Sequence, residues 1–360
     1  MTESLALFDA DLAPAAGAVV DPVTPPAPRL AVREPVADGP ALLAVDGNAL
    51  VHRAFHAYGA TTGGARYGFF ALLSVVCDQV AYDGLVIGFD CREHSRRRTQ
   101  FAGYKAQRPD KHDDLSASLD ELPGIAADLG AHVIVAPGLE ADDVVASAAA
   151  TAETAGWRCV VASPDRDVLG LVSDRTEVLQ VRGGDQPIRY ITARGFRRRH
   201  RIAPAQYVQL AALRGDASDN LPGITGIGAK KAAALLRTYA TVEQAVADPM
   251  GCRSVLGPEL GQALIDDLAA DDSVFRRNVA LMALHRDVSV DLDRARRAAT
   301  PEQILEVLRV HRMTGLHTRM CAALCPSDAT PPVGDDDAPP EQPWEQGPPP
   351  GPVPRRAADA

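Results

Sequence analysis

Acidic side chains stand at the ends of apolar runs that have the composition of buried strands. Asp46 ends the run 41–46, and Asp90 ends the run 85–90. Because the carboxyl ends of parallel strands meet at one edge of a sheet, where open α/β folds bind ligands, we expect these carboxylates to converge. Oxygen ligands without histidine or cysteine suit Mg²⁺ or Mn²⁺, and carboxylates this close repel one another unless cations compensate them. The predicted metal ligands are Asp46, Asp90, Glu140, Asp142, Asp143, Asp165, Asp167, Asp216 and Asp219.

Single members of this acidic set have a second interpretation. Glu140, Asp142 and Asp143 could favour the N-terminus of a helix through its dipole, and Asp219 could cap a helix or close a turn. The placement of the whole set beside strand ends favours the metal site.

A basic segment follows Asp90, with Phe101 and Tyr104 interleaved. If this segment is helical, Lys105 and Arg108 lie one turn apart and both reach a phosphate held beside the acids. A solvated charged helix is the alternative. The run 197–201 is a further basic cluster that fits a phosphate contact and a solvated surface equally well. The basic residues of the first segment are Arg92, Arg96, Arg97, Arg98, Lys105, Arg108 and Lys111.

Glycines recur in the segment 221–231, directly after Asp216 and Asp219. They permit a tight hairpin whose backbone N–H groups point outward at the start of the next helix, where a phosphate can bind. Lys230 and Lys231 would lie in the first helical turn, which is unfavourable for the helix dipole unless an external anion lies nearby. A plain glycine-rich turn between helices is the alternative. The predicted DNA-binding residues are Gly223, Gly226, Gly228, Lys230 and Lys231.

The elements that must position these side chains follow an α/β pattern up to residue 203. Near-continuous apolar runs indicate parallel strands that are covered on both faces, and helical patterns over 67–80 and 139–155 suit the crossovers between them. From 204 to about 325 the pattern is helical, which predicts a second subdomain. The predicted strands are 41–46, 85–90, 132–136 and 159–163.

The two ends of the chain differ from the middle in composition. Residues 1–40 and 326–360 hold 18 of the 28 prolines and have net charges of −4 (six acids, two arginines) and −5 (seven acids, two arginines). We expect both to be disordered tails. The total charge of −10 therefore leaves only −1 on the middle, which permits a nucleic-acid partner.

The remaining composition excludes several classes of protein. Hydrophobic residues make up 46% of the chain, which excludes wholesale disorder. No apolar run approaches the roughly 20 residues of a membrane span, so we expect a cytoplasmic protein without membrane contact. The six cysteines are scattered without a CxxC pair, which favours reduced thiols over disulfides or a zinc site.

Taken in order, the segments VDGNALVHRAFHA, GFDCREHS, FAGYKAQR, GLEADDVVAS, SPDRDVLGL and LRGDASDNLPGITGIGAKKAAALL closely resemble the bacterial 5′ nuclease family. This flap endonuclease-like domain is found at the front of DNA polymerase I and as free-standing exonucleases. The resemblance covers about 42–240, and more weakly the chain to 325. It implies a PIN-like parallel-sheet nuclease core, a helical arch from the basic segment and a helix-three-turn-helix motif that grips duplex DNA. No polymerase motif follows, so we expect a free-standing nuclease.

The resemblance also implies roles for the site residues. Lys105, with Arg108 or Arg97, would neutralise charge that develops on the phosphate. Asp143 and Asp216 would be auxiliary metal ligands that act through water. One metal ion would be held by Asp46, Asp90, Glu140 and Asp142, and the second by Asp165, Asp167 and Asp219, with Asp142 near both.

We therefore expect a monomeric nuclease that uses two Mg²⁺ or Mn²⁺ ions to hydrolyse phosphodiester bonds at 5′ ends, flaps or nicks of DNA, and in RNA–DNA hybrids. Two alternatives stay open. A catalytically silent, structure-specific DNA-binding protein predicts a broken ligand set, and a PIN-like ribonuclease predicts strand-end acids without the duplex-binding hairpin. The sequence departs from the family at His52, where an aromatic side chain is usual, and at Arg96 in the arch.

Overall fold

A six-stranded sheet forms the centre of the molecule. The computed structural model describes residues 39–58, 63–181 and 188–326, so the predicted tails lie outside the described residues except for 39, 40 and 326. The strand order is β3-β2-β1-β4-β5-β6, and all neighbours are parallel except β5 and β6. The strands are β1 (Ala41–Asp46), β2 (Gly84–Phe89), β3 (His132–Val135), β4 (Arg158–Ala162), β5 (Thr176–Gln180) and β6 (Arg189–Ile191).

The central strands are apolar along their whole length because helices cover both faces of the sheet. Every residue of β1 and β2 is buried. Val45 of β1 pairs with Ile87 on one side and with Ala162 on the other. Non-alternating strands of this kind are typical of parallel sheets. The predicted α/β class and the four predicted strands are confirmed, whereas β5 and β6 were not predicted.

Helices connect the strands and make up most of the chain after residue 192. They are interrupted by a hairpin of two strands with two residues each, β7 (Gly215–Asp216) and β8 (Leu221–Pro222). The helices are α1 (Gly47–Tyr58), α2 (Gly64–Cys77), α3 (Arg96–Gln100), α4 (Asp113–Asp128), α5 (Ala141–Thr154), α6 (Ala193–His200), α7 (Tyr207–Arg214), α8 (Ala229–Thr238), α9 (Val242–Ala247), α10 (Pro249–Leu256), α11 (Pro258–Ala269), α12 (Val274–Met282), α13 (Leu292–Ala295), α14 (Pro301–Val310) and α15 (His317–Leu324).

Two apolar clusters lie on opposite faces of the sheet. The first joins α5 to α7, α8 and the helices that follow, up to α13. The second joins α1, α2 and α4 to α14 and α15. Helices α14 and α15 therefore belong to the cluster of α1, α2 and α4, and α15 packs directly against α2. The prediction of a helical DNA-binding subdomain over 204–325, with a division of the chain near 203, remains our proposal.

The basic segment is less helical than predicted. Only α3 is a helix, and residues 102–107 form turns before α4 begins at Asp113. Lys105 has a φ of 55°, in the left-handed region, so it does not share a helix face with Arg108. The expectation of a helical pair at these positions is therefore wrong.

All six cysteines are free, and five of them are buried. Within the described ranges, no helix has the length and apolar character needed to cross a bilayer.

Candidate active site

Two carboxylates lie at the ends of the central strands. Asp46 is 7% exposed, and its carboxylate accepts hydrogen bonds from the Ala49 N–H and the Ser163 hydroxyl, both at 2.9 Å. Asp90 follows β2 and accepts a hydrogen bond from the Ala141 N–H at 2.9 Å. Burial, strengthened by neighbouring carboxylates, raises the pKa of Asp46 to about 7 and also raises the pKa of Asp90. Both groups are therefore poised to exchange a proton for a cation.

The start of α5 adds two further carboxylates to this edge. Glu140 Oε2 lies 2.8 Å from Lys105 Nζ and 3.2 Å from Arg97 Nη1. Burial disfavours the Glu140 anion, but these two cations outweigh burial and lower its pKa. Asp142 lies 3.5 Å from Arg97 Nη1, yet burial and the charges of Asp143 and Glu140 raise its pKa well above the usual range. The local negative charge is only partly compensated.

A second acidic group joins residues that follow β4 to the turn after α7. The Asp167 N–H donates to Asp165 Oδ1 at 2.9 Å. Burial and the charges of Asp165, Asp216 and Asp219 raise the pKa of Asp167 to about 8. Arg108 Nη2 lies 2.7 Å from Asp219 Oδ1. The electrostatic effect of the other three aspartates on Asp167 agrees with the prediction that all four converge.

Asp143 and Arg97 are placed differently from the prediction. Asp143 is fully buried, and its two oxygens lie 2.7 and 2.8 Å from the two terminal nitrogens of Arg97. Asp143 also accepts the N–H groups of Glu140 at 3.0 Å and His285 at 2.9 Å. Arg97 is 5% exposed and donates to the Leu281 carbonyl at 2.8 Å. This placement contradicts the expectation that Arg97 reaches a phosphate, and we assign Asp143 a structural role in place of metal ligation.

Lys105 and Arg108 reach the two acidic groups from the turns of the basic segment. The Lys105 N–H donates to the Asp219 carbonyl at 3.0 Å, and Gln107 Nε2 donates to the Ala217 carbonyl at 2.9 Å. These bonds fix the basic segment against the turn at 217–219. Lys105 thereby pairs with the first acidic group and Arg108 with the second.

The glycine-rich hairpin forms as predicted between α7 and α8. A Cβ at Gly223 would lie 2.3 Å from the Arg214 carbonyl carbon, so the backbones approach too closely for any side chain. Gly226 has a φ of 83°, which favours glycine. Gly228 precedes α8, and Lys230 is exposed at its first turn. Lys231, also exposed, lies 3.4 Å from the Gly226 carbonyl.

The chemistry of the remaining carboxylates fits divalent cations. Oxygen donors and uncompensated negative charge are what Mg²⁺ and Mn²⁺ require. The charge of Asp165 contributes to the raised pKa of Asp46, so the two acidic groups adjoin. Across the described part of the chain, no three Asp, Glu, His or Cys side chains already surround a common point as metal ligands do.

Three residues support the site without having been predicted to do so. Ser163 donates its hydroxyl to Asp46, and the Asn48 side chain accepts the Asp90 N–H at 3.1 Å. Tyr104 is buried and donates its hydroxyl to Glu140 at 3.1 Å. Their signal in the sequence is position alone, since each lies within two residues of a strand end or of Lys105.

Two family models match consecutive parts of the chain. The model of the 5′-3′ exonuclease N-terminal resolvase-like domain matches residues 41–200. The model of the 5′-3′ exonuclease C-terminal SAM fold matches residues 202–303. The chain belongs to the 5′-3′ exonuclease family. The mostly parallel sheet corresponds to the first model, and the helical part after residue 202 corresponds to the second.

Known relatives agree with the family assignment. DNA polymerase I of Mycobacterium tuberculosis is 36% identical over 257 residues, which are 69% of this chain and 28% of the polymerase. The chain thus spans less than a third of the length of that relative. A structure of the bacteriophage T5 flap endonuclease with DNA and metal ions has a TM-score of 0.55 at 19% identity and covers 76% of this chain and 99% of the T5 chain. Human GEN1 in complex with Holliday junction DNA also has a TM-score of 0.55, at 14% identity, and covers 79% of this chain and 71% of GEN1. These two structures share the fold.

Proposed function

We propose that this chain is a metal-dependent 5′-3′ exonuclease and 5′ flap endonuclease that hydrolyses phosphodiester bonds in DNA. The observation that carries the proposal is the pairing of Lys105 and Arg108 with two adjoining groups of strand-end carboxylates. Acids that would bind cations and bases that would bind a phosphate are thereby held together at one edge of the sheet. Membership of the 5′-3′ exonuclease family supports the same activity.

The proposed metal ligands fall into the two groups described above. When bound, Mg²⁺ or Mn²⁺ ions supply Lewis-acid activation of a water molecule and stabilisation of the leaving oxygen. Asp216 contributes charge to the second group, and Asp143 is left out because its oxygens are already engaged. The proposed ligands are Asp46, Asp90, Glu140 and Asp142 in the first group, and Asp165, Asp167 and Asp219 in the second.

The basic side chains would bind and orient the scissile phosphate. Glu140 and Asp219 raise the pKa of Lys105 against the effect of burial, so its ammonium stays charged at neutral pH. Arg108 is half-exposed and carries a planar guanidinium that can bind two phosphate oxygens. In the absence of DNA both cations neutralise carboxylates. On binding, we propose that they turn to the phosphate and stabilise the negative charge that develops on it.

The hairpin would hold the duplex part of the substrate. Exposed backbone at Gly226 and Gly228, together with Lys230 and Lys231, offers N–H donors and positive charge to a phosphate backbone. The scissile phosphate must leave the duplex to reach the acids, so terminal bases unpair at a cost of a few kcal/mol. Duplex binding at the hairpin would offset that cost. We propose a monomer that acts on 5′ ends, flaps and nicks, and on RNA–DNA hybrids.

The experiment compares 5′-labelled and 3′-labelled flap, nicked and single-stranded substrates with and without Mg²⁺. We expect short 5′ products from flap DNA that require Mg²⁺ and disappear in chelator. Asp90→Asn serves as the matched loss-of-ligand variant and should retain flap binding in chelator. Binding without cleavage by the unaltered protein would favour the catalytically silent alternative, and cleavage confined to RNA would favour a PIN-like ribonuclease.

A further inference from the structure

A basic helix remains outside the proposed site. The segment 188–201, which includes α6, contains six arginines and no acidic residue, in a chain whose net charge is −10. The arginines on and directly after α6 are all exposed. They are Arg194, Arg197, Arg198, Arg199 and Arg201.

Helix α6 is anchored on one side and charged on the other. Phe196 is fully buried, its ring stacks on His200 at a centroid distance of 4.5 Å, and it meets Tyr207 edge-on at 5.9 Å. Arg194 and Arg198 lie at positions i and i+4, which is one face of α6, and Arg201 directly follows the helix with a φ of 60°. We call these three residues the α6 stripe. At 1.5 Å per residue Arg194 and Arg198 are roughly 6 Å apart along the helix axis.

The charge of the stripe is uncompensated within the described part of the chain. Elsewhere the arginines find partners: Arg66 pairs with Glu121 at 2.8 Å, and Arg92 pairs with Asp120 at 2.8 Å. No described carboxylate lies within 4 Å of any arginine of α6 or of Arg201. Like charges one turn apart repel each other on a helix, so an external anion would relieve the repulsion.

Helix α7 separates α6 from the glycine-rich hairpin. Tyr207, which contacts α6, is the first residue of α7, whereas the last, Arg214, approaches Gly223 of the hairpin. Arg214 also lies 3.9 Å from Asp216 of the second acidic group. The eight residues of α7 span roughly 12 Å, and at 3.4 Å per nucleotide this is about three to four base pairs of DNA. The end of α7 that adjoins α6 and the end that adjoins the hairpin are thus separated by a length that one short duplex covers.

We propose that the α6 stripe is a second contact for the phosphate backbone of duplex DNA, in addition to the hairpin. This inference rests on the proposed nuclease function, because the DNA that the stripe binds is the substrate held at the acids. The stripe adds affinity without base specificity, since guanidinium groups on an exposed helix face bind phosphates by charge. The spacing along α7 favours DNA over the acidic residues 1–40 and 326–360 as the occupant.

The test replaces the stripe in the full chain by Arg194→Gln, Arg198→Gln and Arg201→Gln. The probe is a labelled 5′-flap duplex in chelator, titrated from about 50 to about 200 mM salt. We expect the slope of log K against log salt to fall by about 2 to 3, and affinity at 0.1 M salt to fall by at least about tenfold. Replacing the same three residues by lysine keeps the charge and should restore most of both.

A matched control removes the same charge elsewhere. Arg309→Gln, Arg312→Gln and Arg319→Gln alter exposed residues of the C-terminal helical region and should leave the slope unchanged. An unchanged salt slope in the stripe variant overturns the proposal, and this result is expected if an acidic end of the chain occupies the stripe. An equal loss of slope in the control variant also overturns it. If the unaltered protein cleaves flap DNA while the slope is unchanged, only this inference fails, whereas absence of any cleavage rejects the proposed function.

Discussion

Replacement of Arg97 by methionine tests the structural role that its contacts assign to it. Arg97 links three parts of the molecule, because it donates to Asp143 at the start of α5 and to the Leu281 carbonyl in α12. Methionine fills a similar volume without charge. It would leave the Asp143 carboxylate fully buried, with only the N–H groups of Glu140 and His285 as donors.

The expected cost follows from this burial. Removing one partner of a buried ion pair typically costs about 3–5 kcal/mol because the other charge is left uncompensated. For a protein of this size each kcal/mol lowers the melting temperature by about 2–4 °C, so a decrease of roughly 6–20 °C is expected. In the double variant Arg97→Met/Asp143→Asn no bare charge remains. Its loss should therefore be smaller than the sum of the two single losses by about 1–3 kcal/mol.

The assay is thermal and urea unfolding followed by circular dichroism in chelator, with all four members of the cycle. Arg98→Met is the matched control, because Arg98 is exposed on the same helix and its loss should cost less than about 0.5 kcal/mol. Equal stability of the Arg97 and Arg98 variants would refute the buried pair. A melting temperature that is unchanged while single-turnover cleavage falls would return Arg97 to the phosphate-binding role that the sequence predicted.

Three further predictions concern the acids and the hairpin. Asp142→Asn should lower single-turnover cleavage at low Mg²⁺ by at least about tenfold, and its stability in chelator should be unchanged or raised. Near-normal cleavage in a metal titration would remove this residue from the ligand set. Lys230→Ala with Lys231→Ala should reduce the salt slope of duplex binding by about 1.8, and a loss of cleavage by bound enzyme at an unchanged slope would contradict the role of the hairpin. The raised pKa values of Asp46 and Asp167, about 7 and about 8, mean that the folded state keeps protons that the unfolded state has lost. Stability without metal should therefore fall as pH rises from about 4 to about 8, while Mg²⁺ affinity rises and binding releases protons. Calorimetric titrations in buffers of different ionisation enthalpy measure this release, and Mg²⁺ affinity that is constant from pH 5 to 9 would contradict it.

The parts of the site that depend on strand ends could be predicted from the sequence. Asp46 and Asp90 follow apolar runs whose period and length indicate buried parallel strands, and the topology of such sheets brings strand ends together. Gly223 was predictable because only glycine tolerates a close backbone approach. In each case a local pattern specifies the geometry.

The parts that depend on tertiary contacts could not be predicted. Nothing in the sequence distinguishes Asp143, which is fully buried against Arg97, from Asp142 beside it. The turn at Lys105 is stabilised by bonds to residues more than 100 positions away. The packing of α15 against α2 was missed for the same reason, since an amphipathic helix does not reveal which face of the sheet it covers.

Because α15 returns to α2, the packing of α2 is completed only late in synthesis. The Tyr82 hydroxyl donates to the Ala323 carbonyl, 241 residues later, and α15 packs against α2. A ribosome that adds about 5–20 residues per second needs roughly 12–48 s to cover that interval. During this time the part of the α2 surface that α15 covers has no final partner on the nascent chain. Chaperone binding to this surface before release would prevent aggregation, and a ribosome stalled before residue 301 would leave the surface open.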